Sequence, residues 1–385
     1  MIIFAVNLYN DFECIADACP NTCCAGWCIN IDEKTYQKMV EKEDLLGIPA
    51  NDWITKNGDS YSAKLRSNGH CPMLNENNLC KVVLTLGDSY LSDTCTSYPR
   101  VHKQYGNILE TFLHPSCPEV IAKLISNENV TFDFWEDSSI SASPYAYNEL
   151  YLYESAIRTS IIDLLYHSPD ISLKTRLFTA YNIINEAVTQ CQNSSPDFNL
   201  MKGYIDSFCQ SDKLIALDSH LKDIVKESNR YRFLQELQNI ILESVTLSSE
   251  HYTELVRQTV EYFYQNDFEK YLNDIVSFKT FVQSYNQFYT NYWVYRIFAE
   301  LIAIPDYSQV KEKFFYIAIE LCLIQTIGLV SFVHNGTLDI NEYIYIISYV
   351  SRRLEHTSSF RQMLTNQLKK NNMISGAGIL LLTIF

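Results

Sequence analysis

Basic residues are in short supply: 30 Lys and Arg stand against 45 Asp and Glu, a formal net charge of −15 at pH 7. Nucleic acid and anionic lipid both call for a basic stripe, so the balance argues against either as a partner. It suits a basic or lysine-bearing protein partner, and equally a protein that simply stays soluble. Glycine is sparse too. Its eleven residues are scattered, and the one close pair, Gly376-Ala377-Gly378, has no strand-like run before it. A Rossmann-type cofactor turn, which needs clustered glycines after a first strand, is therefore not expected. No low-complexity tract or internal repeat is present. The opening MIIFAV has no basic residue before it, is too short for a signal-peptide core, and is soon interrupted by Asn7 and Asp11. The expectation is a cytoplasmic, reducing location. Residues 314–333 are long and apolar enough to span a bilayer, but Glu320 and Gln325 near the centre predict a buried helix instead.

Cysteine is what the chain has in plenty. Of twelve, five lie within residues 14–28 (Cys14, Cys19, Cys23, Cys24, Cys28), and Cys71, Cys80, Cys95 and Cys117 follow. Cys191, Cys209 and Cys322 stand outside that first third. Cysteines used as small core hydrophobes would scatter along the chain. In a reducing compartment such crowding points to metal rather than to disulfides. Zinc and an iron–sulfur cluster both take thiolates in fours, and the spacing does not choose between them. The vicinal pair Cys23-Cys24 is unusual, because adjacent side chains diverge and can serve different centres.

Residues 1–30 read as a loop-rich entry, with Pro20 and Gly26 among the thiols. A helix begins after Asp32 as cap, a hairpin is expected within 57–70, and a short strand within 108–113. Residues 81–86 suit either a helix or a strand. The polar stretch 126–147 reads as a linker. Beyond it, apolar residues recur at helical spacing in 152–165, 173–188, 221–242, 251–264, 268–304, 310–333 and 340–354, the last with Asp339 as cap. The fold class expected is mainly α: a small cysteine-rich metal-binding N-terminal domain with short strands (1–125), a linker (126–147), a larger all-helical bundle (148–366) and a tail (367–385).

The blocks Phe12-x-Cys14, Ala18-Cys19-x-x-Thr22-Cys23-Cys24-x-Gly26-Trp27, Cys71-Pro72-x-Leu74, Leu91-Ser92-x-Thr94-Cys95-x-x-Tyr98-Pro99-Arg100 and Ser116-Cys117-Pro118-Glu119 resemble the flagellin lysine N-methylase family. Asn291-Tyr292-Trp293-Val294 and Ser351-Arg352-Arg353-Leu354-Glu355-His356 look like its C-terminal landmarks. The N-terminal pattern is also similar, more distantly, to small CxxxCxxCC-type zinc- or iron-chelating domains. The resemblance covers roughly residues 9–360. It implies methylation of flagellin lysines with S-adenosylmethionine as donor, and an iron–sulfur cluster, of 4Fe-4S type, on Cys14, Cys19, Cys23, Cys24, Cys71, Cys80, Cys95 and Cys117. Cys28 departs from the family pattern.

With no Rossmann turn, the donor site implied is of another kind. A radical enzyme's CxxxCxxC is also incomplete, since Gly26 stands where the third cysteine belongs. For polar transfer the lysine must be neutral, and a carboxylate or tyrosine near the amine would serve. Candidates from the motif blocks are Asp32, Asp93, Tyr98, Arg100 and Glu119. Each has a plain structural use: Asp32 as a cap, Tyr98-Pro99 as a turn, Arg100 as partner to a carboxylate of the cofactor or of a neighbouring acid. Arg352 and Arg353 near a helix end complement its dipole, and His356 is a base, a ligand or a cap. A non-catalytic zinc- or iron-binding module joined to a helical interaction domain is the alternative reading.

Overall fold

The computed structural model describes residues 1–140, 149–193, 197–222, 224–245, 248–302 and 306–383. Seven strands are described: β1 (Ile2–Val6), β2 (Asn30–Ile31), β3 (Ile54–Asn57), β4 (Ser60–Ala63), β5 (Arg100–Tyr105), β6 (Ile108–Leu113) and β7 (Phe132–Glu136). The apolar start of the chain is no loop. β1 is an inner strand of a sheet ordered β5-β6-β1-β7, parallel to β6 and antiparallel to β7. A continuous apolar run without alternation fits a strand flanked on both sides. β5 and β6 turn over Gly106-Asn107, where Gly106 takes φ +61 as a tight hairpin demands.

A second sheet, β2-β4-β3, contains the expected hairpin, displaced toward the N-terminus and turning over Gly58-Asp59. It belongs to a small core of its own: Ile29, Ile31, Met39, Leu46, Ala50, Trp53, Ile54, Tyr61, Ala63, Cys71, Met73 and Val82. Residues Lys81–Leu86 are helical. Asp32 caps the Glu33–Glu41 helix, its Oδ1 accepting from Thr35 N at 2.8 Å.

The four-stranded sheet shares its core with the helices. Val6, Phe112, Leu113, Val120, Ile121 and Leu124 pack in one cluster with Ile161, Tyr292, Tyr295 and Leu354. Glu110, 1% exposed on β6, is held by Arg158 at 2.5 and 2.9 Å and by Tyr151 Oη at 2.8 Å. A buried carboxylate is tolerable only with such pairing. The stretch read as a linker contains β7, and its residues 141–147 lie outside the described residues.

Among the described residues after β7 the elements are helices, as the apolar periodicity predicts. The stretch read as 268–304 is two helices, Phe268–Val282 and Asn286–Glu300, with residues 303–304 outside the described residues. Phe198–Phe208 and Ser211–Leu221 are further helices that the periodicity did not mark. One phase error stands out: Leu152 is 40% exposed, whereas Tyr151 and Tyr153 are buried. Tyrosine carries weight in both senses, so a purely apolar template misplaces the stripe. The helix Tyr307–Asn335 is long and apolar enough to cross a membrane, and 83% of its apolar window is buried inside the protein. Its Glu320 meets Arg296 at 3.1 Å. The tail is built in as well. The helices Ser358–Lys370 and Gly376–Leu382 pack on the bundle, and Arg230 donates to the carbonyls of Leu380, Leu381 and Thr383 at 3.3, 2.8 and 2.9 Å.

Gly378 is where that tail depends on glycine, because a Cβ would overlap the Met373 carbonyl. Gly378→Ala is expected to destabilise by about 1–3 kcal/mol or more. Gly203→Ala, facing open space on the Phe198–Phe208 helix, is expected to stabilise by about 0.5–1 kcal/mol. Denaturant titration of both variants checks the pair.

Candidate functional site

Three backbone segments carry the thiols toward one another. Cys71 N donates to Cys24 O at 2.7 Å, Gly26 N donates to Gly69 O at 3.0 Å, and Ala25 bridges His70. Leu74 bridges Cys80, with Lys81 N donating to Met73 O at 2.7 Å. The Asn75-Glu-Asn-Asn turn between them is closed by Asn75 Oδ1, which accepts from Asn77 N and Leu79 N at 2.9 Å each. Cys95 sits in the short Asp93–Ser97 helix, where Ser92 Oγ accepts from Cys95 N and donates to Asn30 O at 3.2 Å each. Cys117 precedes the Pro118–Ser126 helix.

All twelve thiols are free. The eight expected as ligands form one electrostatically connected set. Cys24 feels Cys23, Cys71 and Cys80, and Cys71 feels Cys80 and Cys95. Cys95 also feels Cys23, Cys117 feels Cys19 and Cys23, and Cys19 feels Cys14 and Cys23. Burial pushes Cys71 and Cys117 up to about 12. The hydrogen bond from Cys24, with the charge of Arg352, holds Cys23 near 7 against the opposing effect of burial, and Cys24 is correspondingly raised. Cys28 faces outward, its Sγ 3.7 Å from Asn30 Oδ1. Among the described residues, no three thiols converge within 4.8 Å.

The loop holding Cys19, Cys23 and Cys24 is clamped from the far end of the chain. Arg352, 1% exposed on the Ile340–His356 helix, donates from Nη1 to Asn21 Oδ1, Thr22 O and Ala25 O at 2.9, 2.8 and 3.3 Å. Its Nη2 donates to Asn21 O and Ser116 O at 3.1 Å each. Arg353 Nη1 donates to Gly26 O at 2.8 Å. The two arginines read as complements to a helix dipole are thus donors to the cysteine loop. A planar guanidinium offers five donors in a fixed fork, against the three of a lysine ammonium, so it can satisfy more of these carbonyls at once.

Trp27 donates to Cys23 O at 2.7 Å and lies 4.5 Å from the His356 ring and 5.7 Å from Tyr98. Tyr98 is stacked 6.3 Å from His114, and its hydroxyl pairs with Ser116 Oγ at 3.1 Å. His114 Nδ1 meets Glu355 Oε2 at 2.5 Å, and Glu355 Oε1 accepts from Arg296 at 2.5 Å. Burial works to raise Glu355, but the charges of His114 and Arg296 hold it below the carboxylate range. Burial lowers His356 to about 4.

Of the other sequence candidates, Asp32 stands as cap and also accepts from Asp93 N at 3.0 Å. Asp93 is exposed beside it. Arg100 donates to Phe12 O at 3.2 Å and lies over the Phe12 and Tyr9 rings at 5.2 and 5.9 Å. No carboxylate among the described residues pairs with it. Glu119 reaches Lys123 at 3.8 Å, one helical turn on. Sequence reading missed Asn21, Arg296 and the site role of His114. The signal for His114 was its place in Leu113-His114-Pro115-Ser116-Cys117, three residues before a thiol.

The model of the FliB lysine N-methylase C-terminal domain matches residues 158–382, more than half of the chain. The chain belongs to the FliB lysine N-methylase family. A lysine-N-methylase of Salmonella typhimurium is 36% identical over 122 residues, which span 30% of this chain and 30% of that protein. The flagellar biosynthetic protein FliU of Salmonella muenchen is also 36% identical over 122 residues, 30% of this chain and 72% of that one. No solved structure matches. The family match runs through the tail to residue 382, past the 360 or so at which the motif resemblance ends.

Proposed function

We propose that the chain is a protein-lysine N-methyltransferase that moves methyl groups from S-adenosylmethionine to lysine side chains of flagellin or a similar filament protein, in the cytoplasm. The family match over 158–382 carries this reading, and the name of the Salmonella typhimurium relative agrees with it. The acidic balance favours a lysine-bearing partner over nucleic acid or lipid. The donor site is of non-Rossmann type: β1 runs into Asn7-Leu8-Tyr9 rather than a glycine turn, and no single crossover helix joins β1 to its parallel partner β6.

The second part of the proposal is that Cys14, Cys19, Cys23, Cys24, Cys71, Cys80, Cys95 and Cys117 hold an iron–sulfur cluster, of 4Fe-4S type, with zinc the alternative. The eight thiols lie close enough to bear on one another electrostatically, and the resemblance of the cysteine blocks to the family, rather than any spacing, favours iron over zinc. Bound there, such a cluster supplies one-electron chemistry. The chain's own residues hold and shield the loop: Arg352 and Arg353 fix its carbonyls, and Trp27 and Tyr98 cover it. Burial raises Tyr98, so its hydroxyl stays protonated near neutral pH, hydrogen-bonded with Ser116 Oγ.

The test uses the full chain purified without oxygen, assayed for iron, zinc and acid-labile sulfide, then incubated with methyl-labelled S-adenosylmethionine and flagellin. Label on flagellin lysines, with iron and sulfide in comparable amounts, is the expected result. Folded, iron-loaded protein that transfers no label would overturn the methylase reading. Colourless protein with stoichiometric zinc would overturn the cluster.

A further inference from the structure

The side-chain cluster behind Trp27 contains more than the proposed function uses. His114 lies in the turn after β6, and Glu355 and His356 end the Ile340–His356 helix. One nitrogen of each imidazole and one carboxylate oxygen lie within 4.8 Å of one another, the one such convergence among the described residues. The three ligand atoms come from two distant parts of the chain, so local helix geometry does not account for the meeting.

Of the cluster's polar atoms, His356 Nε2 has no hydrogen-bond partner, while His114 Nδ1 and Glu355 Oε2 have only each other. Glu355 gives Oε1 to Arg296, which leaves Oε2 facing His114 Nδ1 alone. His356 Nε2 is buried and has no hydrogen-bond partner, although its ring is held against Trp27. Buried imidazole nitrogens normally find a partner, so this one marks an unfilled requirement. Arg296 is paired with Glu320 at 3.1 Å as well as with Glu355, while the charges of Arg352 and Arg353 also bear on His356, so a cation would be held by the Glu355 carboxylate against nearby positive charge. The Arg296 contact with Glu355 is the kind of outer support that fixes a carboxylate ligand.

We propose that His114, Glu355 and His356 bind one divalent first-row metal ion, of the Fe2+ to Zn2+ class, distinct from anything held by the thiols. Two imidazoles and a carboxylate suit these borderline ions and not a soft one such as Cu(I). Three protein ligands leave positions open, which is the pattern of sites that bind a water or a substrate oxygen rather than of closed structural sites. Occupancy replaces the proton shared by His114 and Glu355 and satisfies His356 Nε2 in one step. The site lies against Trp27, whose indole nitrogen is bonded to the cysteine loop, so the ion would sit next to the thiol region without using it.

The test is a Co2+ titration of the full chain after chelator treatment, followed by visible and near-ultraviolet absorption. The two donor sets separate in the spectrum: thiolates give intense near-ultraviolet charge transfer, and nitrogen and oxygen ligands give weak visible bands alone. The expected result is one equivalent of Co2+ of the second kind, kept in Cys24→Ser/Cys71→Ser and weakened by more than about tenfold in His356→Ala. His356→Gln, with circular dichroism, repeats the measurement if the alanine variant is poorly folded. Arg296→Lys is expected to weaken binding with the ligands intact. Visible bands unchanged in both His356 variants, or binding of the thiolate kind alone, would overturn the site. Neither result depends on methyl transfer.

Discussion

Cys24→Ser/Cys71→Ser is expected to lose most of the bound metal and all methyl transfer, while keeping the helical body folded. Serine nearly conserves volume, and the Cys71 N to Cys24 O bond at 2.7 Å does not involve the thiols, so the backbone junction survives. What disappears is two adjacent soft donors, and a hydroxyl does not replace a thiolate for iron or zinc. The lobe of residues 29–91 has twelve buried apolar residues in its core, too few for robust independent stability. Metal binding is worth about 10 kcal/mol or more in small thiolate domains, so its loss is expected to loosen that lobe selectively. Metal analysis and limited proteolysis together measure both effects. Unchanged metal content would remove these two thiols from the ligand set.

Arg352→Met is expected to cost about 3–5 kcal/mol, the largest single-residue effect on stability predicted here. The methionine fills much of the space but leaves the carbonyls of Asn21, Thr22, Ala25 and Ser116 without their donor. Each buried carbonyl so stranded costs roughly 1–3 kcal/mol, less whatever water repays. Arg352→Lys keeps the charge with three donors for five bonds and is expected to fall between wild type and methionine. Because the clamp joins the Ile340–His356 helix to the cysteine loop, metal content is expected to fall along with stability. Denaturant titration showing a loss below about 1 kcal/mol for the methionine variant would mean that the loop is held by other contacts.

Much of the helical body was legible. Helix caps at Asp32 and Asp339 follow from local chemistry, which is what a sequence displays, whereas the hairpin expected within 57–70 turns over Gly58-Asp59 with its first strand beginning before that stretch. The buried placement of Tyr307–Asn335 was legible from Glu320, because a carboxylate at mid-helix needs a protein partner. β1 was not, since six apolar residues at the start of a chain look the same in a strand or a loop until their partners, residues 108–111 and 132–136, are known. The packing of the tail was not legible for the same reason, because its anchor is Arg230, about 150 residues away.

By itself, then, the sequence determined that thiols crowd one third of the chain, that helical periodicity dominates the remainder, and that acidic residues outnumber basic ones. Those are matters of composition, period and spacing, each readable within a short window. Only the tertiary structure decided that Arg352 and Arg353 grip the cysteine loop, and that His114 meets Glu355 and His356. Side chains separated by more than two hundred residues share a site through packing alone, and no local pattern records which buried charge will find which carbonyl.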